Sequence, residues 1–286
     1  MGVLVLDTVS EMRNWRRGRS AGTRVGLVPT MGAFHEGHLS LMRRAAADCE
    51  LTVVSLFVNP TQFGPGEDLE RYPRDLETDL ELASREGVDI VFAPERADMY
   101  PDGYATYAEV ERLTDGLCGR FRPGHFRGVT TIVLKLLNIV QPQRAYFGEK
   151  DYQQLTAIRR MVHDMNLGYE IVGMPTVRES DGLAMSSRNA YLSPDERRAA
   201  LVLPRSLTKA RQLVESGERS AARVLDALRR QFAEEPLVSL QYAEIVDPDT
   251  LAAVEHCDRE VVIAAACLVG ETRLIDNQIL RMRERS

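Results

Sequence analysis

The sequence predicts an α/β fold, with a Rossmann-like parallel sheet in an N-terminal domain and a smaller α+β domain at the C-terminus. Strand-like and helix-like segments alternate through the first 175 residues, which is typical of a parallel sheet with right-handed crossovers. Residues 51–58 (LTVVSLFV) form an almost continuous apolar run, as expected of a central parallel strand. Beyond residue 175, two helical segments are followed by strand-like segments. We therefore expect domains of residues 1–175 and 176–286.

The individual elements follow from hydrophobic periodicity along the chain. Short apolar runs predict strands at residues 25–28, 51–58, 88–93, 145–147 and 169–172. Helical spacing predicts helices at residues 39–46, 77–86, 129–140 and 151–165. The C-terminal part predicts a polar loop at residues 175–189, helices at 194–216 and 221–234, and strands at 239–246, 260–268 and 272–275.

The composition is ordinary for a soluble globular protein. Of the 286 residues, 44% are hydrophobic and 27% charged, and the net charge of −6 argues against a general nucleic-acid binder. No apolar run reaches the length of a membrane span, and Glu11 follows the first residues too soon for a signal peptide. The four cysteines lie far apart, which indicates a reducing compartment. We expect a cytoplasmic protein with no nucleic acid and no membrane among its partners.

The most informative stretch is residues 29–38 (PTMGAFHEGH), between the first predicted strand and the first predicted helix. A glycine-bearing loop in this position points backbone N–H groups and the positive end of a helix at one spot, which suits a phosphate. His35 and His38 can each donate a hydrogen bond to a phosphate oxygen. A His-x-x-His pair can also bind zinc, but the other histidines, His125, His163 and His256, form no further ligand-like pair.

This stretch resembles the HxGH signature of the nucleotidylyltransferase superfamily, and the fuller string PTMGAxHxGH is similar to that of the pantothenate synthetase (pantoate–β-alanine ligase) family. The resemblance implies an ATP site that includes the whole second part of the motif. The residues concerned are Met31, Gly32, Ala33, Phe34, His35, Glu36, Gly37 and His38.

Two further segments resemble the same family. Residues 57–64 (FVNPTQFG) close the second central strand, and the family's matching glutamine implies that Gln62 binds pantoate and lies near β-alanine. Taken alone, the segment is also consistent with a turn held by the side chains of Asn59 and Gln62. Residues 120–129 (RFRPGHFRGV) would attract anions or shape the pocket, although a solvated basic loop is the simpler interpretation. We expect no catalytic role for His125.

Residues 148–154 (GEKDYQQ) repeat the strand-to-helix geometry of the first motif. Lys150 is one of only three lysines, and the alternative is a surface lysine beside a capping Asp151. The resemblance implies that Lys150 meets the ATP phosphates and that Gln154 binds pantoate. It also implies nucleotide contacts from Gly148, Glu149 and Asp151.

Residues 185–189 (MSSRN) resemble the loop that closes over the β- and γ-phosphates in this superfamily, with Arg188 where other members use lysine. Two hydroxyls and a guanidinium can wrap phosphate oxygens, whereas a flexible linker is the alternative. The resemblance implies nucleotide contacts from Met185, Ser186, Ser187 and Arg188, and from the backbone of Val177.

An acidic cluster, Asp75, Glu77 and Asp79, could help hold Mg²⁺. Acids are also common in the first turn of a helix, where they face the positive end of its dipole. The sequence therefore leaves the magnesium ligands unknown.

The resemblance implies an ATP-dependent ligase that joins pantoate to β-alanine through a pantoyl adenylate, with Mg²⁺ as cofactor and a homodimer as the assembly. It assigns His35, His38 and Lys150 to charge neutralisation at the phosphates, with His38 as the candidate proton donor. Two alternatives are a nucleotidylyltransferase whose product keeps the AMP and a non-catalytic nucleotide-binding module. Free AMP as a product would separate the first alternative from the ligase, and turnover would exclude the second.

Overall fold

A computed structural model describes residues 2–280 of the chain, and its elements fall into two units. Of the described residues, the first unit contains 2–111, Arg122–Glu149 and Ala157–Pro175, and the second contains Arg112–Phe121, Lys150–Thr156 and 176–280. The long segment of the second unit begins at Thr176. Two short segments that precede this position, 112–121 and 150–156, also group with the second unit.

Within residues 2–280, nine strands form two sheets, one in each unit. In chain order the strands are β1 (Leu4–Leu6), β2 (Val25–Thr30), β3 (Leu51–Leu56), β4 (Ile90–Phe92), β5 (Arg144–Gly148), β6 (Glu170–Met174), β7 (Val238–Val246), β8 (Val261–Val269) and β9 (Thr272–Leu280). The first six make a parallel sheet in the order β1-β4-β3-β2-β5-β6, and the last three make an antiparallel sheet in chain order. The predicted α/β class, with a smaller α+β part at the C-terminus, is confirmed.

The described residues contain ten α-helices and three short 3₁₀ turns. The helices are α1 (Val9–Arg17), α2 (Glu36–Asp48), α3 (Leu76–Arg85), α4 (Arg96–Met99), α5 (Cys118–Phe121), α6 (His125–Val140), α7 (Tyr152–Asp164), α8 (Pro194–Ala200), α9 (Val202–Glu215) and α10 (Ala221–Ala233). The 3₁₀ turns are Pro60–Gln62, Glu149–Asp151 and Ser187–Tyr191. Among these helices none is long and apolar enough to cross a membrane.

Several elements depart from the sequence prediction for identifiable reasons. The single helix expected at 194–216 is divided at Leu201, because Pro204 has no N–H for a continuous helix and its ring would clash with the preceding turn. Helix α6 starts at His125 rather than 129, since polar Arg127 and small Gly128 hide its first turn from the apolar pattern. The sequence analysis also missed β1 and α1, which have short or strongly charged sequences.

In the second unit, helices α8, α9 and α10 and the antiparallel sheet share one apolar core. Its largest buried members include Leu203, Leu207, Leu228 and Phe232. The last strand continues five residues beyond the predicted end at 275, because Asp276 and Asn277 are polar but buried and so end the apolar pattern prematurely.

The order in which successive strands are added to the parallel sheet reverses at β2. Strand β3 lies on one side of β2, and β5 lies on the other. In open parallel sheets, ligands bind beyond the carboxyl ends of the strands at such a reversal. The HxGH motif follows β2, and Gly148 ends β5. The topology therefore predicts a ligand site at the carboxyl ends of β2 and β5.

The Pro60–Gln62 turn lies so close to helix α6 that no side chain fits between them. A Cβ added at Gly128 would lie 2.7 Å from the backbone nitrogen of Gln62 and closer still to the carbonyl of Thr61. The buried Asn59 joins the two elements by donating from Nδ2 to the Gly128 carbonyl at 3.1 Å. Its Oδ1 accepts from the hydroxyls of Thr61 and Tyr100 at 2.9 and 2.8 Å. A turn held by side-chain hydrogen bonds is therefore present at Asn59.

Arg122 and His125 hold the same turn from its other end. His125 accepts from Arg122 Nη1 at Nε2 (3.0 Å), because a guanidinium can only donate, and it donates from Nδ1 to the Gln62 carbonyl at 2.8 Å. Arg122 forms a fork with the carboxylate of Glu67, with distances of 2.6 and 2.7 Å. Burial acts to raise the pKa of Glu67, but the hydrogen bonds and charge of Arg122 outweigh it and lower the pKa to about 2. The basic loop is thus engaged with the turn rather than only solvated.

Gly128→Ala tests the close approach of helix and turn. Alanine favours a helix interior over glycine by about 1 kcal/mol, whereas overpacking against backbone costs about 1–3 kcal/mol or more. We expect the free energy of unfolding in urea to fall by about 1–2 kcal/mol, because the added methyl meets backbone atoms that cannot rotate away. Gly168→Ala is the matched control, since a Cβ there meets nothing within 4 Å. A Gly128→Ala variant as stable as the parent would contradict the argument.

Glu67→Gln tests the ion pair with Arg122 through its pH dependence. The folded-state pKa of about 2 lies below the ordinary glutamate pKa of 4.5. The pair therefore stabilises the fold fully above pH 4.5 and loses its contribution as the pH falls toward 2. We expect the parent to lose stability more steeply than the variant between about pH 5 and 3, by on the order of 2 kcal/mol.

The measurement is the free energy of unfolding in urea at each pH. Glu81→Gln is the control, because Glu81 makes an exposed pair with Arg85 one helical turn away, which is worth only a few tenths of a kcal/mol. A constant difference between parent and Glu67→Gln across this acidic range and up to neutral pH would show that the Glu67 carboxylate does not titrate with a lowered pKa.

Candidate active site

A buried carboxylate sets the shape of the loop after β2. Gly32 and Ala33 have φ angles of 87° and 53°, a left-handed bend that turns the chain sharply into helix α2. Asp79 of α3 accepts from the backbone N–H groups of Ala33 (2.9 Å) and Phe34 (2.8 Å). Burial raises the pKa of Asp79, although these two hydrogen bonds act in the opposite direction. A Cβ at Gly32 would lie 2.9 Å from Asp79 Oδ2, so the bend requires glycine.

The two histidines of the motif are held by backbone N–H groups at the start of α2. His35 is the N-cap residue, and its Nδ1 accepts from Gly37 N at 3.2 Å. His38 Nδ1 accepts from His35 N at 3.4 Å, and the rings stack with centroids 4.1 Å apart. A nitrogen that accepts carries no proton, so each neutral ring has its proton on Nε2. Both rings are thereby set to donate from Nε2 near the positive end of α2.

Gln62 meets the other end of the same loop. Its Nε2 lies 3.1 Å from the sulfur of Met31, and its Oε1 accepts from Asn59 Nδ2 at 3.0 Å. Because the Gln62 carbonyl is also bound by His125, both its backbone and its side chain are held. The structure therefore brings together a candidate pantoate residue and the first residue of the candidate nucleotide loop.

Lys150 belongs to the short turn Glu149–Asp151 before α7. Its ammonium lies 3.7 Å from the Asp151 carboxylate, and the Lys150 side chain is 20% exposed. Of the two glutamines that follow, Gln153 is buried and bonded to the backbone of Leu113, Gly116 and Cys118. Gln154 is half-buried, and thus more accessible to a ligand than its neighbour.

The polar loop of residues 177–189 is a hydrogen-bonded hairpin. Arg178 pairs with Ala184 across it, and Met185 N donates to the Val177 carbonyl at 3.0 Å. Arg197 binds the carboxylates of Glu179 and Asp181 at 2.8 and 2.7 Å. These contacts give the loop a defined backbone arrangement.

The hairpin leads directly into the candidate phosphate-binding residues. Ser186 caps the 3₁₀ turn Ser187–Tyr191 by accepting from Arg188 N at 3.3 Å. The Asn189 amide binds Glu179 at 2.6 Å, which returns the end of the loop to its beginning. Ser186, Ser187 and Arg188 thus follow an ordered segment, as a preorganised anion site requires.

Several residues that hold candidate site residues were not predicted from the sequence. In the first unit they are Asp79, Arg122 and His125, and in the second unit they are Asp276 and Asn277. For Asp79 the sequence predicted only a metal ligand or an acid in the first turn of a helix. The structure gives Asp79 the two loop N–H groups, and Asp75 caps α3 by accepting from Thr78. Within residues 2–280 no group of three or more His, Cys, Asp or Glu side chains is arranged to hold a metal ion. A buried polar residue on an amphipathic helix gives no periodic signal that would reveal its partner.

Comparisons with known proteins agree with this architecture. The family model for pantoate-beta-alanine ligase matches residues 4–279. The pantothenate synthetase of Heliobacterium modesticaldum is 55% identical over 279 residues, covering 97% of this chain and 99% of that protein. That of Moorella thermoacetica is 55% identical over 281 residues, covering 98% and 99%.

Solved structures give the same result. The crystal structure of pantothenate synthetase from Thermus thermophilus is 48% identical, with a TM-score of 0.92 over 96% of this chain and 99% of that chain. The pantoate-beta-alanine ligase of Francisella tularensis, complexed with beta-gamma ATP and beta-alanine, is 32% identical, with a TM-score of 0.82 over 97% of each chain. With a family model that spans almost all described residues and relatives more than half identical over their full length, the chain belongs to the pantoate–β-alanine ligase family.

Proposed function

We propose that the protein catalyses the ATP-dependent condensation of (R)-pantoate with β-alanine to pantothenate, releasing AMP and pyrophosphate. The observation that carries the proposal is the loop after β2, where two imidazoles are set to donate from Nε2 at the opening of α2. The amide of Gln62 meets the same loop at Met31. An anion-binding group and a polar substrate-binding group thus lie at the reversal point of the sheet, where ligands of such folds bind.

The first step needs charge stabilisation rather than a protein nucleophile. A carboxylate oxygen of pantoate forms a bond to the α-phosphorus of ATP, and the bond from that phosphorus to the β-phosphate oxygen breaks. The electron pair leaves with pyrophosphate, so negative charge grows on the phosphate oxygens. His35, His38 and Lys150 neutralise it, with His38 as the proton donor, and their effect depends on positions fixed beforehand.

In the second step the neutral amine of β-alanine attacks the acyl carbon of pantoyl adenylate. A C–N bond forms, the bond from carbon to the AMP oxygen breaks, and the amine loses its proton. Gln62 and Gln154 orient pantoate in both steps, and Gln62 also lies beside β-alanine. Hydrogen bonds to the side chain and the backbone of Gln62 support this role, because they hold its amide in one orientation.

The nucleotide is bound by the motif residues Met31–His38, by Gly148–Asp151 and by Val177 and Met185–Arg188. Support comes from the local order of each segment: a capped helix start, a 3₁₀ turn and a hydrogen-bonded hairpin. The family also leads us to propose a cytoplasmic homodimer. Mg²⁺ would enter on the phosphate oxygens of ATP and neutralise their charge, as is usual for this ion in sites that bind nucleotides.

The alternative function is a nucleotidylyltransferase whose product keeps the AMP. The two candidates share the first step and differ in the fate of the adenylate. An acyl adenylate is attacked by an amine and releases AMP, whereas a phosphodiester or pyrophosphate product retains it. The match to the pantoate–β-alanine ligase model over residues 4–279 favours the ligase.

Pyrophosphate exchange tests the proposal directly. Labelled pyrophosphate should enter ATP only when pantoate is present, and no β-alanine should be needed, because the adenylate forms before the amine reacts. Adding β-alanine should then release AMP and pantothenate in equal amounts. Folded protein that shows no pantoate-dependent exchange would exclude the ligase, and a stable adenylylated product without free AMP would favour the alternative.

Variants of the two histidines separate charge stabilisation from helix capping. His38→Ala should lower the exchange rate by roughly 10²-fold, the scale for losing one preorganised donor. His35→Asn keeps a good N-cap side chain but removes the Nε2 donor, so its exchange rate should fall while its unfolding free energy stays close to that of the parent. Thermal unfolding of both variants is the control for folding. Exchange at the parental rate in His38→Ala would remove that residue from the mechanism.

A further inference from the structure

Two consecutive residues of β9 bind the two segments of the second unit that carry its phosphate-binding candidates, the turn at Lys150 and the hairpin that leads to Ser186. Asn277 donates from Nδ2 to the backbone carbonyl of Lys150 at 2.8 Å. Asp276 binds the guanidinium of Arg178 through both carboxylate oxygens, at 2.7 and 3.0 Å. The exposed fractions of Asp276 and Asn277 are only 2% and 6%. One point on an edge strand therefore fixes two segments that are far apart in sequence.

Arg178 carries this anchoring into the hairpin. Its Nη1 also donates to the Gly182 carbonyl at 3.1 Å, and its backbone pairs with Ala184, the residue before Met185. The hairpin is thus attached to β9 at the end from which Ser186, Ser187 and Arg188 emerge. Arg197 binds the opposite side of the loop through Glu179 and Asp181, so two sets of ion pairs restrain it.

The carboxylate of Asp276 is buried, whereas the side chain of its partner Arg178 is 33% exposed. The carboxylate accepts from both Arg178 nitrogens and from the backbone N–H of Asn277 at 2.8 Å. Buried ion pairs often contribute no more stability than apolar residues of the same size, and their attested benefit is fixing one arrangement of the chain. The pair is therefore better suited to setting a geometry than to stabilising the core.

We propose that Asp276 and Asn277 are positioning residues for the ATP triphosphate, fixing the distance between the Lys150 turn and the residues Ser186–Arg188. The inference rests on the proposed function in taking ATP as the ligand of both segments. Donors to phosphate oxygens act only when their separation matches the ligand, and a displacement of about 1 Å can cost about 10²-fold in rate. Consecutive anchors on one rigid strand keep that separation constant.

Asn277→Ala tests the anchor of the Lys150 turn. Losing one partly buried hydrogen bond that holds a binding group should weaken ATP binding by about 5-fold or more. AMP lacks the β- and γ-phosphates, so its affinity should change less than about 2-fold, which is below the cost of one lost hydrogen bond. Isothermal titration of each nucleotide without pantoate gives both values. Gln278→Ala, the next residue on β9 and half-buried, is the matched control and should bind both nucleotides as the parent does.

Arg178→Lys is a second variant that keeps the charge beside Asp276 but loses the two-pronged contact, and it should show the same selective loss for ATP. It carries the test if Asn277→Ala does not fold. Equal losses for ATP and AMP, or a loss of stability with unchanged ATP affinity, would overturn the proposal. A parent that binds ATP but shows no pantoate-dependent exchange would refute only the ligase, and one that binds no ATP would refute both.

Discussion

The hydrogen bonds from Ala33 and Phe34 to the buried carboxylate of Asp79 are the contacts on which the first unit's site depends. They hold a left-handed bend that only a glycine followed by a small residue makes easily. The bend sets where α2 begins, and the start of α2 sets which nitrogen of His35 and His38 accepts a backbone hydrogen bond. Asp79, which binds the backbone of the loop, therefore determines which nitrogen of each imidazole ring carries the proton.

Candidate substrate-binding residues in both units are held in a similar way. The side chains expected to meet substrates are held by polar neighbours that are not among the proposed substrate-binding residues. Asn59 and His125 bind the side chain and the carbonyl of Gln62, and Asn277 binds the carbonyl of Lys150. Each holding residue is buried or half-buried and makes more than one contact. Since buried polar groups are costly when unpaired, a change in any of these residues would disturb more than one element.

Much of this fold could be predicted from the sequence because its signals are local. Apolar runs predicted the central strands β2 and β3 within two residues, and helical spacing predicted α2, which begins at Glu36, three residues before the predicted start at 39. Buried polar pairs produced no such signal. Asp79 resembles a first-turn acid until α3 is packed on the loop, and Asp276 and Asn277 interrupt the apolar pattern of a strand in which Asp276 pairs with an arginine far away in sequence. The helix break at Leu201 could have been predicted from Pro204, but the apolar periodicity of residues 194–216 concealed it.

The position of Asp79 has a consequence for recognising active relatives in genomes. The ten-residue string that identifies the family ends at residue 38. Asp79, which holds the bend in this string, lies 46 positions beyond Ala33. A gene with a mutation in the Asp79 codon would still be found by a search for the string and would still encode both histidines. Its product would nevertheless have lost the restraint on the bend. To decide which copies in a duplicated family are still active, the sequence of α3 must be inspected as well as the signature.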